Sequence, residues 1–106
     1  MSNEEKWVAV ATRADLAEGA MIGIDLGEKQ LAVYNVEGEF YATDNICTHA
    51  YAMLTDGFLD GDIIECPLHG GAFCVKDGAG QGAPISEDIK TYPVRINGDT
   101  IEVNVG

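Results

Sequence analysis

Hydrophobic and polar residues alternate along both ends of the chain, and this period of two is typical of β-strands that bury one face. In Met21–Leu26, for example, Ile22, Ile24 and Leu26 fall on one face. The same pattern predicts further strands, which in chain order are Trp7–Ala11, Gln30–Val36, Glu39–Thr43, Thr91–Ile96 and Thr100–Val105.

Short turn signals join these segments into hairpins. Glu37-Gly38 and Asn97-Gly98 favour tight hairpin turns, and Gly27-Glu28 is a third candidate turn. Pro93 has no N–H to donate, so it favours an edge or the start of a strand. The helical signal is limited to a single turn over Ala14–Gly19, which the glycine would end. The pattern therefore predicts an antiparallel, all-β architecture.

The middle of the chain, from about residue 44 to 84, has a different character. It is rich in glycine and turn residues and contains every cysteine and histidine. A stretch of roughly 40 residues is too long for a structureless loop in a compact domain, and a bound metal centre would order it. We therefore predict one domain over residues 1–106, a small antiparallel β-sandwich or barrel. Its base is formed by residues 1–43 and 85–106, with a metal-binding insertion at about 44–84.

Composition limits the size and the partners of the protein. With 106 residues, 46% of them hydrophobic, the chain has the size of a single domain. Eighteen acidic residues against six basic ones give a formal charge of −12. Nucleic acids and anionic membranes both require a basic surface, so neither is an expected partner.

The sequence also indicates a compartment. No apolar run approaches the roughly 20 residues of a membrane span, and Met1–Lys6 lacks the apolar core of a signal peptide. Three cysteines are an odd number, which argues against a disulfide framework. We therefore expect a cytoplasmic protein in which cysteine serves metal or redox chemistry.

Both histidines of the chain lie close to a cysteine. The first pair is in Cys47-Thr48-His49 and, after sixteen intervening residues, the second is in Cys66-Pro67-Leu68-His69. Two thiolates and two imidazoles suit either a zinc ion or an iron–sulfur cluster. Zinc sites more commonly place like ligands close together in sequence, but a tetrahedral zinc accepts this mixture. The donor set by itself leaves both kinds of site open.

These two segments resemble the paired ligand boxes of Rieske-type ferredoxins, and most of all those of naphthalene-dioxygenase-type aromatic ring-hydroxylating systems. The flanking segments Phe40–Asn45 and Ile89–Val94 resemble the same proteins. The resemblance implies a Rieske-type antiparallel β-sandwich or barrel with an inserted cluster-binding subdomain of loops and short strands.

The resemblance also implies the cofactor and its ligands. One [2Fe–2S] cluster would be bound by Cys47 and Cys66 at one iron and by His49 and His69 at the other. A third loop, around Ala83-Pro84, would cover the cluster.

The function implied by the resemblance is that of a soluble one-electron carrier. It would take electrons from a flavin-dependent NAD(P)H ferredoxin reductase and pass them to the terminal Rieske oxygenase of an aromatic ring-hydroxylating dioxygenase system. The carrier is expected to be a monomer, which is the default for a mobile electron carrier. It is not expected to be an enzyme, because a mononuclear-iron oxygenase needs two further histidines and a carboxylate.

Three alternatives stay open at this point. The first is a ferredoxin that serves a monooxygenase or a heteroaromatic-ring oxygenase. The second is the small subunit of a nitrite-reductase-like enzyme, and the third is a zinc-stabilised binding module without a redox role.

Four positions bear on the reduction potential. Relatives of high potential, from respiratory bc complexes, carry extra cysteines where this chain has Ala52 and Leu68, and Ser and Tyr hydroxyls where it has Gly71 and Phe73. With fewer hydrogen bonds to the cluster sulfurs, the extra negative charge of the reduced cluster is less stabilised. We therefore expect a potential at the low end of the Rieske range, which runs from roughly −150 to +300 mV.

Cys74 is the third cysteine, at a position where similar ferredoxins more often have Asp. We expect it to be a small buried hydrophobic residue on a strand, with ligation or redox sensing as the alternatives.

Four acidic residues, Asp56, Asp60, Asp62 and Glu65, lie between the two boxes. They are expected to be either solvated turn residues or a docking surface for the basic patch of a partner.

Overall fold

The computed structural model describes residues 5–48, 51–68, 70–83 and 85–106. These segments form β-strands joined by turns, and every strand pairing is antiparallel. The predicted all-β class is confirmed. In chain order the strands are β1 (Trp7–Thr12), β2 (Met21–Asp25), β3 (Gln30–Val36), β4 (Glu39–Asp44), β5 (Phe58–Asp60), β6 (Ile63–Glu65), β7 (Ala72–Cys74), β8 (Thr91–Tyr92), β9 (Val94–Asn97) and β10 (Thr100–Asn104). Two short 3₁₀ turns cover Arg13–Asp15 and Leu54–Asp56.

The strands are arranged in three sheets. The first has the order β1-β10-β9, the second β2-β3-β4-β8 and the third β5-β6-β7. The third sheet is built wholly from the segment predicted as the metal-binding insertion. Strands of the insertion therefore pair with one another and not with the base.

Strand β3 is central because both of its faces are buried. Leu31 and Val33 point into what we call the first core, whereas Ala32 and Tyr34 point into the second core. The first core consists of Leu16, Leu31, Val33, Ala42, Tyr92, Ile101 and Val103. The second core consists of Ala32, Tyr34, Val36, Cys47, Leu54, Ile64, Cys66, Phe73, Val75 and Ile89. The second sheet thus has the first sheet on one side and the insertion on the other.

The two hairpin signals lead to two different turns. Glu37 and Gly38 both have positive φ, 54° and 91°, which is typical of the type I′ turn predicted at that pair. At the second hairpin Asn97 pairs with Thr100, so the turn residues are Gly98 and Asp99. The turn lies one residue later than predicted, because Gly98 takes the positive φ of 66° while Asn97 stays in the strand.

The prediction of one strand over Thr91–Ile96 is wrong, because Pro93 divides it into β8 and β9. Strand β8 pairs with β4 in the second sheet, whereas β9 pairs with β10 in the first. Both strands are at sheet edges, which agrees with the edge position expected for a residue without an N–H.

The helical turn expected at Ala14–Gly19 is shorter and earlier than predicted. A 3₁₀ turn covers Arg13–Asp15, where the Asp15 carboxylate accepts hydrogen bonds from the N–H and the hydroxyl of Thr12, at 3.1 and 2.9 Å. Gly19 has a φ of 80° and lies two residues before the start of β2.

Among the residues that the structure describes, no helix has the length and apolar character needed to cross a lipid bilayer.

Candidate metal centre

Cys47 lies in the loop that follows β4. A main-chain bridge between Ile46 and Met53 closes this loop, and the N–H of Cys47 donates to the carbonyl oxygen of Ala52 at 2.9 Å. Cys47 is only 5% exposed. Its sulfur is therefore directed toward the interior by a loop with a fixed main-chain path.

Cys66 lies in a second loop, between β6 and β7. Its N–H donates to the carbonyl oxygen of Gly71 at 2.6 Å, and Gly70 has a φ of 73°, a conformation that favours glycine. Cys66 is 2% exposed. The two cysteine loops come from different elements, and packing brings their cysteines together in the second core.

The thiol groups of Cys47 and Cys66 lie within hydrogen-bonding range of each other. Burial, and to a smaller degree the neighbouring Cys47 thiol, raise the pKa of the Cys66 thiol, while a hydrogen bond from the Leu68 N–H acts in the opposite direction. Two adjacent buried thiolates need a positive charge beside them. The pair therefore fits the sulfur side of a metal site.

The two predicted histidine ligands, His49 and His69, lie outside the described residues. Within the described segments no group of three or more His, Cys, Asp or Glu side chains is arranged to hold a metal ion. The structure thus places one half of the predicted ligand set, Cys47 and Cys66, and the complete set stays a prediction.

The inner side of the cysteine pair is apolar. Cys47 and Cys66 belong to the second core together with Leu54, Phe73 and Ile89, all of which are nearly or fully buried. These side chains exclude water from the inner side of the sulfur atoms.

The outer side of the same region reaches the protein surface. Tyr51 is 93% exposed and Leu68 is 45% exposed, and each lies in one of the two cysteine loops. A centre held here would have a short path to a molecule that contacts the surface.

Comparison with known proteins decides which kind of centre this is. The sequence profile of the Rieske [2Fe–2S] domain matches residues 6–93, which is most of the chain. The chain belongs to the Rieske [2Fe–2S] domain family.

Similar proteins are Rieske ferredoxins. The chain is 48% identical over 101 residues to the ferredoxin component of the naphthalene 1,2-dioxygenase system of Pseudomonas aeruginosa, covering 95% of this chain and 97% of the relative. The solved ferredoxin of Sphingomonas yanoikuyae B1 superposes with a TM-score of 0.90 at 42% identity, over 95% of this chain and all of that one. A chain in the complex of reduced oxygenase and oxidized ferredoxin of carbazole 1,9a-dioxygenase superposes with a TM-score of 0.89 at 38% identity, over 92% of each chain.

This Rieske ferredoxin therefore has a [2Fe–2S] cluster as its cofactor and is an electron carrier and not a catalytic enzyme. The zinc-stabilised module is set aside, since the family is defined by the iron–sulfur centre. The nitrite-reductase small subunit is set aside as well, because the chain is 48% identical to a ferredoxin component but only 21% identical to a solved chain described as such a subunit.

Cys74 is separated from the cysteine pair by the alternation of β7. Phe73 points into the second core and is fully buried, so Cys74 points to the opposite face of the third sheet, where it is paired with Ile63. The strand position was predicted correctly, but the residue is half-buried and not buried.

The third loop is fixed to the first cysteine loop, although Pro84 lies outside the described residues. The Thr48 hydroxyl donates to the carbonyl oxygen of Glu87 at 3.0 Å. Further along, the Asp88 carboxylate accepts from the Gly80 N–H at 2.9 Å. The first of these bonds holds Glu87 beside the first cysteine loop, and the second holds Asp88 against the segment that follows β7.

Of the four acidic residues between the boxes, Asp60 and Glu65 end strands β5 and β6 of the third sheet, and Asp56 and Asp62 lie outside its strands. Asp56, Asp60 and Glu65 are exposed, and Asp62 is half-buried and lies 3.9 Å from the ammonium group of Lys76. Most of this negative charge is therefore accessible to a partner, as the docking interpretation requires.

Sequence reasoning missed Asn45 as a residue with a role of its own. It is 3% exposed and uses both side-chain polar atoms in hydrogen bonds, two positions before Cys47. No signal in a single sequence distinguishes such a residue from an ordinary loop asparagine, because its partners lie ten residues away.

Proposed function

We propose that this Rieske ferredoxin carries single electrons from a flavin-dependent NAD(P)H ferredoxin reductase to the terminal Rieske oxygenase of an aromatic ring-hydroxylating dioxygenase system. The observation that supports it most strongly is 48% identity, over 95% of the chain, to a ferredoxin component of a naphthalene 1,2-dioxygenase system. The structural similarity to a ferredoxin solved in complex with its oxygenase supports the same kind of acceptor.

In this proposal Cys47 and Cys66 hold one iron, and His49 and His69 hold the other. When bound, the cluster accepts and releases one electron at a time. The burial of both cysteines agrees with their role, since the second core keeps water away from the sulfur atoms. Exposed Tyr51 and Leu68 lie in the same two loops and would contact the partner.

The acidic surface steers the encounter in this proposal. A formal charge of −12 attracts a basic patch on the reductase or the oxygenase. The same charge opposes self-association, which favours a monomer. The odd number of cysteines favours a reducing compartment, the cytoplasm. We further propose a single domain over residues 1–106, with a base of 1–43 and 85–106 and a cluster-binding insertion at about 44–84.

Analysis of the purified holoprotein tests the ligand assignment. We expect two irons and two sulfides per chain and, after reduction, the EPR spectrum of a Rieske centre. His49→Ala and His69→Ala should each abolish normal cluster assembly, because one iron loses half of its protein ligands. Cys74→Ser is the matched control, and it should keep the native spectrum. A native-like, fully loaded cluster in either histidine variant would contradict the assignment.

A reconstituted system tests the electron-transfer role. A purified reductase and terminal oxygenase of a naphthalene 1,2-dioxygenase system are mixed with NAD(P)H and naphthalene, with or without this protein. We expect oxygenated product only when the loaded protein is present. Equal product formation without it would overturn the proposed role and leave the cofactor assignment intact.

A second candidate is a ferredoxin for a heteroaromatic-ring oxygenase. The 38% identity to a chain in a carbazole 1,9a-dioxygenase complex favours it. Replacing the naphthalene oxygenase with the carbazole oxygenase in the same assay separates the two. A higher rate of electron transfer to the carbazole enzyme would select this alternative.

A further inference from the structure

Asn45 connects the end of β4 to the first cysteine loop through four hydrogen bonds. Its main-chain N–H donates to the carbonyl oxygen of Gln30 at 2.7 Å, and its carbonyl oxygen accepts from the Leu54 N–H at 2.6 Å. Its side-chain Oδ1 accepts from the Thr55 N–H at 2.9 Å, and its Nδ2 donates to the Thr55 Oγ1 at 2.9 Å. Both polar groups of the buried amide are therefore paired.

These bonds close the base of the loop over residues 46–53. Inside the loop, Ile46 bridges to Met53, and the Cys47 N–H donates to Ala52. The hydrogen bonds between Asn45 and Thr55 are the next link outward from these pairs. Successive hydrogen-bonded pairs across the loop therefore set the position of the Cys47 sulfur. The pair farthest from Cys47 is formed by the side chain of Asn45 with Thr55.

Strand β2 leaves space for this side chain. A Cβ placed on Gly23 would come within 3.0 Å of the Asn45 Nδ2 and 3.2 Å of the Thr55 Oγ1. Glycine inside a strand is usually unfavourable, and one reason for it is the close approach of another group. The glycine therefore makes room for the contact between Asn45 and Thr55.

We propose that Asn45 is a positioning residue for the iron–sulfur centre, and that its amide, through Thr55, fixes the loop that carries Cys47. The inference rests on the proposed ligation by Cys47. Loss of the amide would leave the half-buried Thr55 N–H without its acceptor in the protein, and the loop would sample several positions of the sulfur. Residues that orient metal ligands typically change metal affinity 10- to 100-fold when they are replaced.

Asn35 provides a matched control for Asn45. It is also a buried asparagine, 5% exposed, whose Nδ2 donates to the Leu16 carbonyl oxygen and whose Oδ1 accepts from the Gly38 N–H, both at 2.8 Å. It lies five residues along β3 from Gln30, which is roughly 17 Å in an extended strand. Asn35→Ala should therefore lower thermal stability about as much as Asn45→Ala without reaching the centre.

The experiment compares holoproteins by three measurements: the melting temperature, the rate of iron release to a chelator, and the EPR linewidth of the reduced cluster. For Asn45→Ala we expect iron release to be roughly 10-fold faster and the EPR lines to be broader. For Asn35→Ala we expect a similar fall in melting temperature with native linewidth. Thr55→Val, which loses the acceptor of the Nδ2, should give an intermediate effect, and Thr55→Ser should restore wild-type behaviour.

The comparison decides the inference even if Asn45→Ala fails to fold, since the two Thr55 variants then carry the test. Native linewidth and native iron release in Thr55→Val would overturn it. So would equal broadening in the Asn35 and Asn45 variants, because the role would then be general stability. A wild-type protein without a Rieske EPR spectrum would overturn the proposed ligand set and the inference together, whereas a native wild-type spectrum with native Thr55→Val behaviour would overturn the inference alone.

Discussion

The side-chain hydroxyl of Thr48 donates a hydrogen bond of 3.0 Å to the main-chain carbonyl oxygen of Glu87, 39 residues further along the chain. Thr48 lies between Cys47 and His49, and Glu87 lies in the third loop. A single hydroxyl thus joins the first ligand box to the segment expected to cover the cluster.

Replacement of this hydroxyl should loosen the third loop. Thr48→Val keeps the shape of the side chain and loses the donor, at a cost of about 1 kcal/mol, which corresponds to about fivefold faster opening. Hydrogen–deuterium exchange of the main-chain amides in the segment 85–89 measures this opening. Thr48→Ser keeps the donor and should exchange like the wild type. Equal exchange in the valine variant and the wild type would show that other contacts hold the loop.

Phe73→Tyr should raise the reduction potential. Phe73 is fully buried in the second core, which also contains Cys47 and Cys66. A hydroxyl added there can donate to a sulfur atom and stabilise the reduced charge. Redox titration measures the change, and Phe40→Tyr, beside the first core, is the control without an effect. An unchanged or lower potential in a Phe73→Tyr variant with a native EPR spectrum would refute the expectation.

Gly57→Ala should destabilise the fold strongly. A Cβ at Gly57 would overlap the carbonyl oxygen of Glu65, in the strand that leads to Cys66. Main-chain atoms cannot move aside cheaply, so we expect a loss of about 3 kcal/mol in the free energy of unfolding.

Urea unfolding measures this loss, and Gly27→Ala serves as the control. Gly27 has a φ of 85°, and a Cβ added to it would meet nothing within 4 Å, so alanine costs only the conformational strain of about 1 kcal/mol. The clash argument fails if the two variants lose the same stability.

Two buried tyrosines should make the fold sensitive to alkali. Burial raises the pKa of Tyr34, and burial together with the nearby Asp44 carboxylate raises the pKa of Tyr92, whose hydroxyl donates to that carboxylate at 2.5 Å. The unfolded chain therefore releases these protons first, from pH about 10 upward. The contribution of the two protonated tyrosines to the free energy of unfolding is complete below that pH and is lost as the pH rises.

Tyr34→Phe should consequently move the alkaline unfolding midpoint to higher pH, while costing about 1 kcal/mol at neutral pH through the lost 2.9 Å hydrogen bond to Thr43. Circular dichroism against pH measures the midpoint. Tyr51→Phe, at a ring that is 93% exposed, should leave it in place. A midpoint unaffected by the loss of the Tyr34 hydroxyl would contradict the linkage.

Electron transfer to the partner should slow as salt is added. Raising the ionic strength from about 0.1 M to about 1 M shortens the screening length from about 10 to about 3 Å. We expect the rate to fall several-fold, and Asp60→Asn combined with Glu65→Gln to lower it at low salt. Asp99→Asn, in the turn between β9 and β10, is the matched control. A rate indifferent to salt and to both acidic residues would exclude electrostatic steering.

Local patterns predicted the strands of the first two sheets better than those of the third. The alternation over Met21–Leu26 and Gln30–Val36 found β2 and β3 nearly to the residue, because each strand pairs with a neighbour in sequence. At Thr91–Ile96 the same alternation continued across Pro93, although the two halves pair in different sheets. Which strand a segment pairs with depends on the whole chain, so a local hydrophobic period cannot predict it.

The sequence by itself predicted a metal site with two sulfur and two imidazole donors, from the identity and spacing of Cys47, His49, Cys66 and His69, and left open whether the metal is zinc or an iron–sulfur cluster. Donor atoms belong to residue types, so they can be read from the chain. Only the tertiary structure decided that Cys47 and Cys66 meet in the second core while Cys74 points away, and that Asn45 and Thr48 form hydrogen bonds with Thr55 and Glu87. Those relationships depend on contacts between residues ten to thirty-nine positions apart, which packing and hydrogen bonding establish only when the sheets have formed.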